Sequence, residues 1–399
     1  MSDASAGISH RVRDWVESGV PALTGFPGGP PLIPPGSAAT IARQHTDRIA
    51  AITDGRVRLD GARLLSERAA FTGSVRGGTI SVGRHCRLLP TADGWAAVSC
   101  ARPDDPALLG ALVGREVGAD PWPAVAAWLR THPGAELAER AELLGLAAGP
   151  IAPQPRPAAV PEPLAPRPVA GLRVVDFSAL WAGPLCAHLL GLAGARVIKV
   201  ETPTRPDGAR RGDPGFYRLL HGGHESVVLD PGDGGQRRAL RALVASADIV
   251  IEASRPRALT GFGLDAGAFA ESGGTWISIT AHGRAANRIG FGDDIAASAG
   301  LVACAGEHPP VFVGDAIADP LTGLTATVLA MSAPGDGSGR LWDISMSAVV
   351  AATLDPRSAG TAVGESSVAP PSRREAAGAA PDSGRDTAAV LAELGVGPG

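Results

Sequence analysis

Residues 171–201 read GLRVVDFSALWAGPLCAHLLGLAGARVIKVE, and the fold turns on this stretch. Val174-Val175-Asp176-Phe177 is short, branched and apolar, which suits a buried strand. Gly183-Pro184 breaks the extended run. Proline is at home in the first turn of a helix, where its missing N–H would be unpaired anyway. Leu185, Leu189, Leu190 and Leu192 supply an apolar face, and Gly194 is placed to stop the helix because it takes positive φ without a steric penalty. Arg196 opens a second strand that ends at Glu201. Strand, helix and strand in about thirty residues make a βαβ unit. Such units build parallel sheets, whose ligands sit at the carboxyl ends of the strands.

The same alternation continues downstream. Strands are expected at 226–229, 248–252, 275–280, 311–313 and 340–345, with helices at 236–246, 294–303 and 321–331. This argues for an α/β protein with a mostly parallel sheet. Upstream the pattern differs. Residues 38–52 suit one helix with Ile41, Ile49 and Ile52 on a face. Asp93-Gly94 between apolar runs signals a hairpin returning through 95–100, and 122–129 and 135–146 read as amphipathic helices. Eight prolines between 150 and 168 mark a semi-rigid connection. The expected division is an N-terminal region 1–155, a Pro-rich linker 156–169, a nucleotide-fold domain 170–355, and a tail 356–399 with a short helix at 386–394.

With 399 residues, 45% hydrophobic and 19% charged, most of the chain should fold. A formal charge of −4 gives no reason to expect nucleic acid or an anionic membrane as partner. No apolar run is long enough to span a bilayer, and residues 1–15 lack the basic-then-apolar order of a signal peptide. Cys86, Cys100, Cys186 and Cys304 are too widely spaced for a zinc site or a disulfide framework, which suits a reducing cytoplasm. His221, His224 and His282 lie beside expected strand ends without the spacing of a metal site, so no metal is expected. Lys199 is the single lysine, against 35 arginines.

Several groups could carry chemistry. Glu201 ends the second strand, where an acid binds a ribose hydroxyl in dinucleotide folds. The first turn, however, runs Ser178-Ala179-Leu180-Trp181-Ala182-Gly183 without G-x-G-x-x-G, and its bulky residues argue against a nicotinamide cofactor. Arg205, Arg210 and Arg211 follow the second strand, and Arg255 and Arg257 follow the strand ending at Glu252. They are either solvated or donors to phosphate. Asp293 and Asp294 precede a small, apolar helix start. They are either helix caps or a carboxylate nucleophile beside backbone that can stabilise an oxyanion. Asp315 and Asp319 carry the same ambiguity.

These residues resemble a family, the class III CoA-transferases of CaiB/BaiF type, which include formyl-CoA transferase, carnitine CoA-transferase and α-methylacyl-CoA racemase. Residues 171–201 resemble the family's opening through "AGP" and "VIKVE". Residues 220–230 (LHGGHESVVLD) resemble "LNxGKRSVxLD", and 247–256 (ADIVIEASRP) resemble "ADVVVENFRP". Residues 277–283, 294–306, 314–323 and 342–346 resemble later family segments in the same order. The resemblance implies a Rossmann-like, mostly parallel sheet domain plus a smaller α+β domain. It implies transfer of CoA between an acyl-CoA and a small carboxylic acid, with coenzyme A entering as the acyl-CoA substrate and no metal. It places Asp294 at the nucleophile, passing through an aspartyl-CoA thioester, and His224, Arg255, Lys199 and Glu201 at the CoA. A cytoplasmic homodimer, interlocked in the family's manner, is also implied.

Departures bear on this. His224-Glu225 stands for Lys-Arg, and Ala253-Ser254 for Asn-Phe. Asp293 fills the position of the racemases' histidine base while Asp315 matches their aspartate, which favours transfer over racemisation. A racemase using Asp315 with Asp293 or Asp294, and an inactive CoA-binding or partner subunit, are the alternatives. Segments of the family's small domain, 89–95 and 145–153, stand before the nucleotide fold rather than after it, so the domain order resembles a rearranged member.

Overall fold

The computed structural model describes residues 2–152, 159–253, 256–355, 361–362, 364 and 367–396. Its centre is a six-stranded sheet of β1 (Arg173–Asp176), β2 (Arg196–Glu201), β3 (Glu225–Val228), β4 (Ile249–Glu252), β5 (Thr275–Thr280) and β6 (Arg340–Ser345). The order across the sheet is β6-β5-β4-β1-β2-β3, and every neighbouring pair is parallel. This is the doubly wound order, in which the succession reverses between β1 and β4 and opens a crevice at their carboxyl ends. The expected α/β class and Rossmann-like sheet are observed.

The sheet is covered on both faces, as parallel strands require. On one face α1 (Ala182–Leu192) and α3 (Ala318–Ala330) pack with the upstream helix Ala38–Ile52 in one large core. That upstream helix meets the core through Ala38, Ala39, Ala42, Thr46 and Ile49, while Ile41 and Ile52 are only partly buried. Small residues let the helices approach closely. On the other face Val175, Ile198, Val250 and Trp276 pack under helices Gly234–Ala245 and Ala266–Glu271. Gly194, at φ +100°, ends the turn after α1 as expected.

A smaller α+β unit lies upstream. Strands Cys86–Pro90, Trp95–Ser99 and Ala148–Pro150 form an antiparallel sheet, with Pro90 opposite Trp95 across the hairpin at Asp93-Gly94. Helices Asp105–Val113, Trp122–Leu129 and Gly134–Leu144 bury Leu109, Leu112, Val125, Leu129 and Leu137 against it. The strand Ala148–Pro150 then packs on α2 (Gly292–Ser298).

Two expected boundaries move. The helix expected at 294–303 is the shorter α2, and residues 302–303 pair instead with 311–312 in an antiparallel ladder. The helix expected at 321–331 begins at Ala318, with Pro320 tolerated in its first turn. This shift puts Asp319 on the first turn of α3. At the far side of the sheet, β3 directs its outward N–H groups at the tail. Ser226 N donates to Asp386 Oδ2 at 2.8 Å and Val228 N to Thr387 Oγ1 at 3.0 Å, while Asp386 N donates to Ser226 O at 2.9 Å. No helix among the described residues is long and apolar enough to cross a membrane.

Candidate active site

The segments after β1, β4, β5 and β6 and the first turns of α1 and α3 surround a crevice of about 160 Å³. Leu180, Ala253, Ile279, Phe291 and Met346 make its walls apolar, and its polar side chains are Thr280, Arg288 and Asp319. This is where the reversal of strand order places a ligand.

Asp319 is the one acid lining the crevice among the described residues. Burial pushes its carboxyl up to about 7, Arg68 pulls it down, Asp293 and Asp315 push it up again, and the Ala182 N–H aimed at it lowers it. Gly292, the first residue of α2, makes room for this carboxylate. A Cβ added there would lie 2.1 Å from Asp319 Oδ2 and 2.6 Å from Ala316 O.

Behind the crevice wall three more aspartates cluster. Asp294 is 4% exposed. Its Oδ1 accepts from Ser99 Oγ at 2.8 Å and from Phe291 N at 3.0 Å. It therefore caps its own helix and joins α2 to the small sheet. Burial pushes it to about 7, with the hydrogen bonds from Ser99 and Phe291 opposing and Asp293 adding to the rise. Asp293 accepts the Ala316 N–H at 2.8 Å and is raised to about 6, by burial first and then by Asp315. Asp315, 1% exposed, is clamped by Arg68, whose Nε donates to Oδ2 at 2.8 Å and whose Nη2 reaches Oδ1. A carboxylate held in that fork is poorly placed to exchange a proton with substrate. Arg68 also lies 5.0 Å over the Trp181 ring.

The residues expected at the CoA are dispersed. Lys199, 1% exposed, donates to Ser178 O at 2.8 Å and pairs with Asp207 at 2.9 Å and Asp176 at 3.9 Å. Asp207 Oδ1 in turn accepts the Leu180 N–H at 3.0 Å, and Leu180 sits at φ +70°. Lys199 thus braces the turn that forms one crevice wall. Glu201 binds Arg210 through Nε at 3.0 Å and Nη2 at 2.5 Å and accepts the Asp207 N–H at 2.7 Å. His224 precedes β3 and so lies at the amino ends of the strands, away from the crevice. There it lines a cavity of about 410 Å³ with His188 and Arg196. Burial first, then Lys199, pushes His224 down to about 3, so it carries no charge to offer a phosphate. Arg255 lies outside the described residues. Among those residues no group of three or more His, Cys, Asp or Glu is arranged to hold a metal ion.

Sequence reasoning singled out Asp294 and left Asp319 as one ambiguous acid. The signal for Asp319 was the shift of the helix start by three residues, which local pattern does not reveal. Ser99 was missed because its partner is 195 residues away.

The family model of CoA-transferase family III matches residues 169–384, more than half of the chain. The chain belongs to that family. It is similar to the succinyl-CoA–D-citramalate CoA-transferase of Chloroflexus aurantiacus, at 29% identity over 208 residues, covering 48% of this chain and 52% of that protein. It is also similar to the formyl-CoA:oxalate CoA-transferase of Rhodopseudomonas palustris, at 29% identity over 177 residues, covering 39% of each. Among solved structures, a CaiB/BaiF family protein from Brucella suis aligns at 29% identity and TM-score 0.43, over 47% of this chain and 55% of that one. The chain spans about half the length of the relatives it matches.

Proposed function

We propose that this chain moves CoA between an acyl-CoA donor and a carboxylic acid acceptor, with Asp319 as the carrier carboxylate. One observation carries the choice of residue: Asp319 is the acid that reaches the crevice at the strand reversal, whereas Asp294 is turned toward Ser99. Ionised Asp319 attacks the thioester carbonyl, giving a mixed anhydride and CoA thiolate. The thiolate attacks the aspartyl carbonyl, releasing the donor acid and leaving an aspartyl-CoA thioester. The acceptor carboxylate attacks that thioester, giving a second anhydride and thiolate. Attack of the thiolate on the acceptor's acyl carbon yields the new acyl-CoA and restores Asp319. Thioester is exchanged for thioester, so no further energy source enters. The Ala182 N–H directed at Asp319 supports the oxyanions that form there. Lys199 and Glu201 act in this reading by bracing the wall, His224 lies apart from the chemistry, and Arg255 is a donor to CoA.

A second reading keeps Asp294 as nucleophile. Its Oδ2 lies behind Gly290, where a Cβ would come within 3.0 Å, so the wall is thin at that point. Incubation with an acyl-CoA followed by hydroxylamine, with mass spectrometry of the peptides, separates the two. A modification at Asp319 and its loss in Asp319→Asn support the first; modification at Asp294 replaces it with the second. Exchange of the α-proton with deuterated solvent and no labelled carboxylate would instead mark a racemase, and neither signal a binding subunit.

The proposal treats 170–355 as the nucleotide-fold domain, 156–169 as the linker and 356–399 as the tail. It also includes a homodimer in a reducing cytoplasm; the four free thiols accord with that compartment. Sedimentation tests the dimer.

A further inference from the structure

We infer that the cavity at the amino ends of β2 and β3 binds an uncharged heteroaromatic ring of nucleobase size. It lies at the opposite end of the sheet from Asp319, so the inference does not rest on the transfer reading. The cavity holds about 410 Å³, many times the roughly 30 Å³ that one water occupies. Two buried imidazoles line it, His188 at 3% exposed and His224 at 4%. Arg374 Nη1 donates to His188 Nε2 at 3.2 Å, and a guanidinium only donates. The proton of a neutral His188 therefore sits on Nδ1, for which no acceptor stands among the described residues. Neither ring nitrogen of His224 has a hydrogen-bond partner among those residues either. Buried polar groups are normally paired, and the space here exceeds what a bridging water needs, so the unmet capacity points to a ligand.

The electrostatics set its class. Both imidazoles are held neutral, His224 by burial and then Lys199, His188 by burial and then Arg374. The charged groups at the cavity are committed elsewhere. Arg196 Nε donates to Glu225 Oε2 at 2.6 Å and Nη2 to Glu225 Oε1 at 3.0 Å, and Arg374 Nη2 donates to Glu67 Oε2 at 2.8 Å. An ionic ligand would find no unpaired charge among these groups. An aliphatic ligand would seal off both imidazoles without partners, which is unfavourable for a buried donor or acceptor. The remaining walls are apolar at Leu192, Ala195 and Val197 and bare backbone at Gly191, Gly222 and Gly223. A flat ring with polar edges pairs with the imidazoles and packs on those walls without freezing rotors. Gly191 is what keeps His224 open. A Cβ there would stand 3.4 Å from His224 Nε2 and 3.6 Å from Val197 Cγ2, contact distances that cover the nitrogen without displacing it.

The probe is hypoxanthine, two fused rings that are uncharged in neutral buffer and carry both donors and acceptors. Naphthalenesulfonate, with two fused rings, a negative charge and no ring nitrogen, is the comparison. Ligand-observed NMR on the full chain should show hypoxanthine binding and naphthalenesulfonate at least about 10-fold weaker. In nitrogen-15 histidine spectra the His224 Nε2 resonance should shift as hypoxanthine is added. Gly191→Ala and His224→Phe should each weaken hypoxanthine by about 10-fold or more. Alanine favours the helix and meets only ordinary contacts at 191, so Gly191→Ala keeps the fold and decides alone if His224→Phe does not. A wild type that does not bind hypoxanthine or does not prefer it, an unmoved His224 signal, or undiminished binding by Gly191→Ala overturns the inference. Displacement of hypoxanthine by excess CoA also overturns it, because the ring would then occupy the CoA site. A chain that binds hypoxanthine here yet forms no hydroxylamine-labile adduct at Asp319 would keep this site and lose the transfer reading.

Discussion

Gly292→Ala adds one methyl group against the carboxylate proposed to do the chemistry. The added carbon would stand 2.1 Å from Asp319 Oδ2, 2.6 Å from Ala316 O and 2.8 Å from Ala316 Cβ. Side-chain rotation can relieve the first contact but not the others, because the Ala316 carbonyl also accepts the Asp319 N–H at 2.9 Å. Two effects oppose each other. Alanine is a better helix former than glycine by up to about 1 kcal/mol. Overpacking a filled site costs about 1–3 kcal/mol. The steric effect wins, so the variant should be destabilised by about 1–2 kcal/mol, read as a lowered denaturation midpoint. The carboxylate must retreat by roughly 1 Å, and a misplacement of that size costs on the order of 100-fold in rate. Single-turnover transfer of radiolabelled CoA measures this step. A folded Gly292→Ala chain with unchanged stability and rate would refute the placement of Asp319 against α2.

Other outcomes follow from the same groups. The Asp319 carboxyl is raised to about 7 and attacks when ionised, so the transfer rate should climb between pH 6 and pH 8 and then level; a flat profile speaks against it. Asp293 and Asp294 titrate in the fold near 6 and 7, above the ordinary carboxyl value of 3.8. Their protonated forms therefore favour the fold fully below that value, and the contribution is lost as pH rises through 6 and 7. Asp294→Asn, whose amide oxygen can still accept from Ser99 and Phe291, should be more stable than wild type at pH 8. The advantage should shrink by roughly 3 kcal/mol toward pH 5 in urea melts. Lys199→Met strands two buried carboxylates and should cost about 3–5 kcal/mol. Adding Asp207→Asn should recover part of that loss, and a double variant no more stable than the single one would contradict the pairing.

The parallel sheet was legible because its strands are short, branched, apolar runs separated by helix-sized intervals. The hairpin was legible because Asp93-Gly94 has few other uses between apolar segments. The third strand of the small sheet, Ala148-Gly149-Pro150, has no strand-forming residue, and only its pairing with residues 96–98 makes it one. The site was less legible for a related reason. Asp294 stood out through its place beside Asp293, but the direction its side chain takes depends on Ser99 in a distant hairpin. Asp319 lay just outside the helix expected at 321, and three residues of error hid the turn that brings it to the crevice. His224 lies in a motif-like segment, yet the polarity of β3 carries it to the opposite end of the sheet from Asp319.

The contacts between β3 and the tail have a consequence for how the molecule behaves in company. An outer strand with bare amides invites a strand from another chain to add on. Here two of those amides are occupied by a carboxylate and a hydroxyl, groups that satisfy a donor but cannot extend a ladder. Replacing the two groups together, Asp386→Ala with Thr387→Val, would strip this cover while leaving Val390 and Leu391 in the core. The expected result is progressive self-association detectable by light scattering, a solubility defect arising far from any catalytic group.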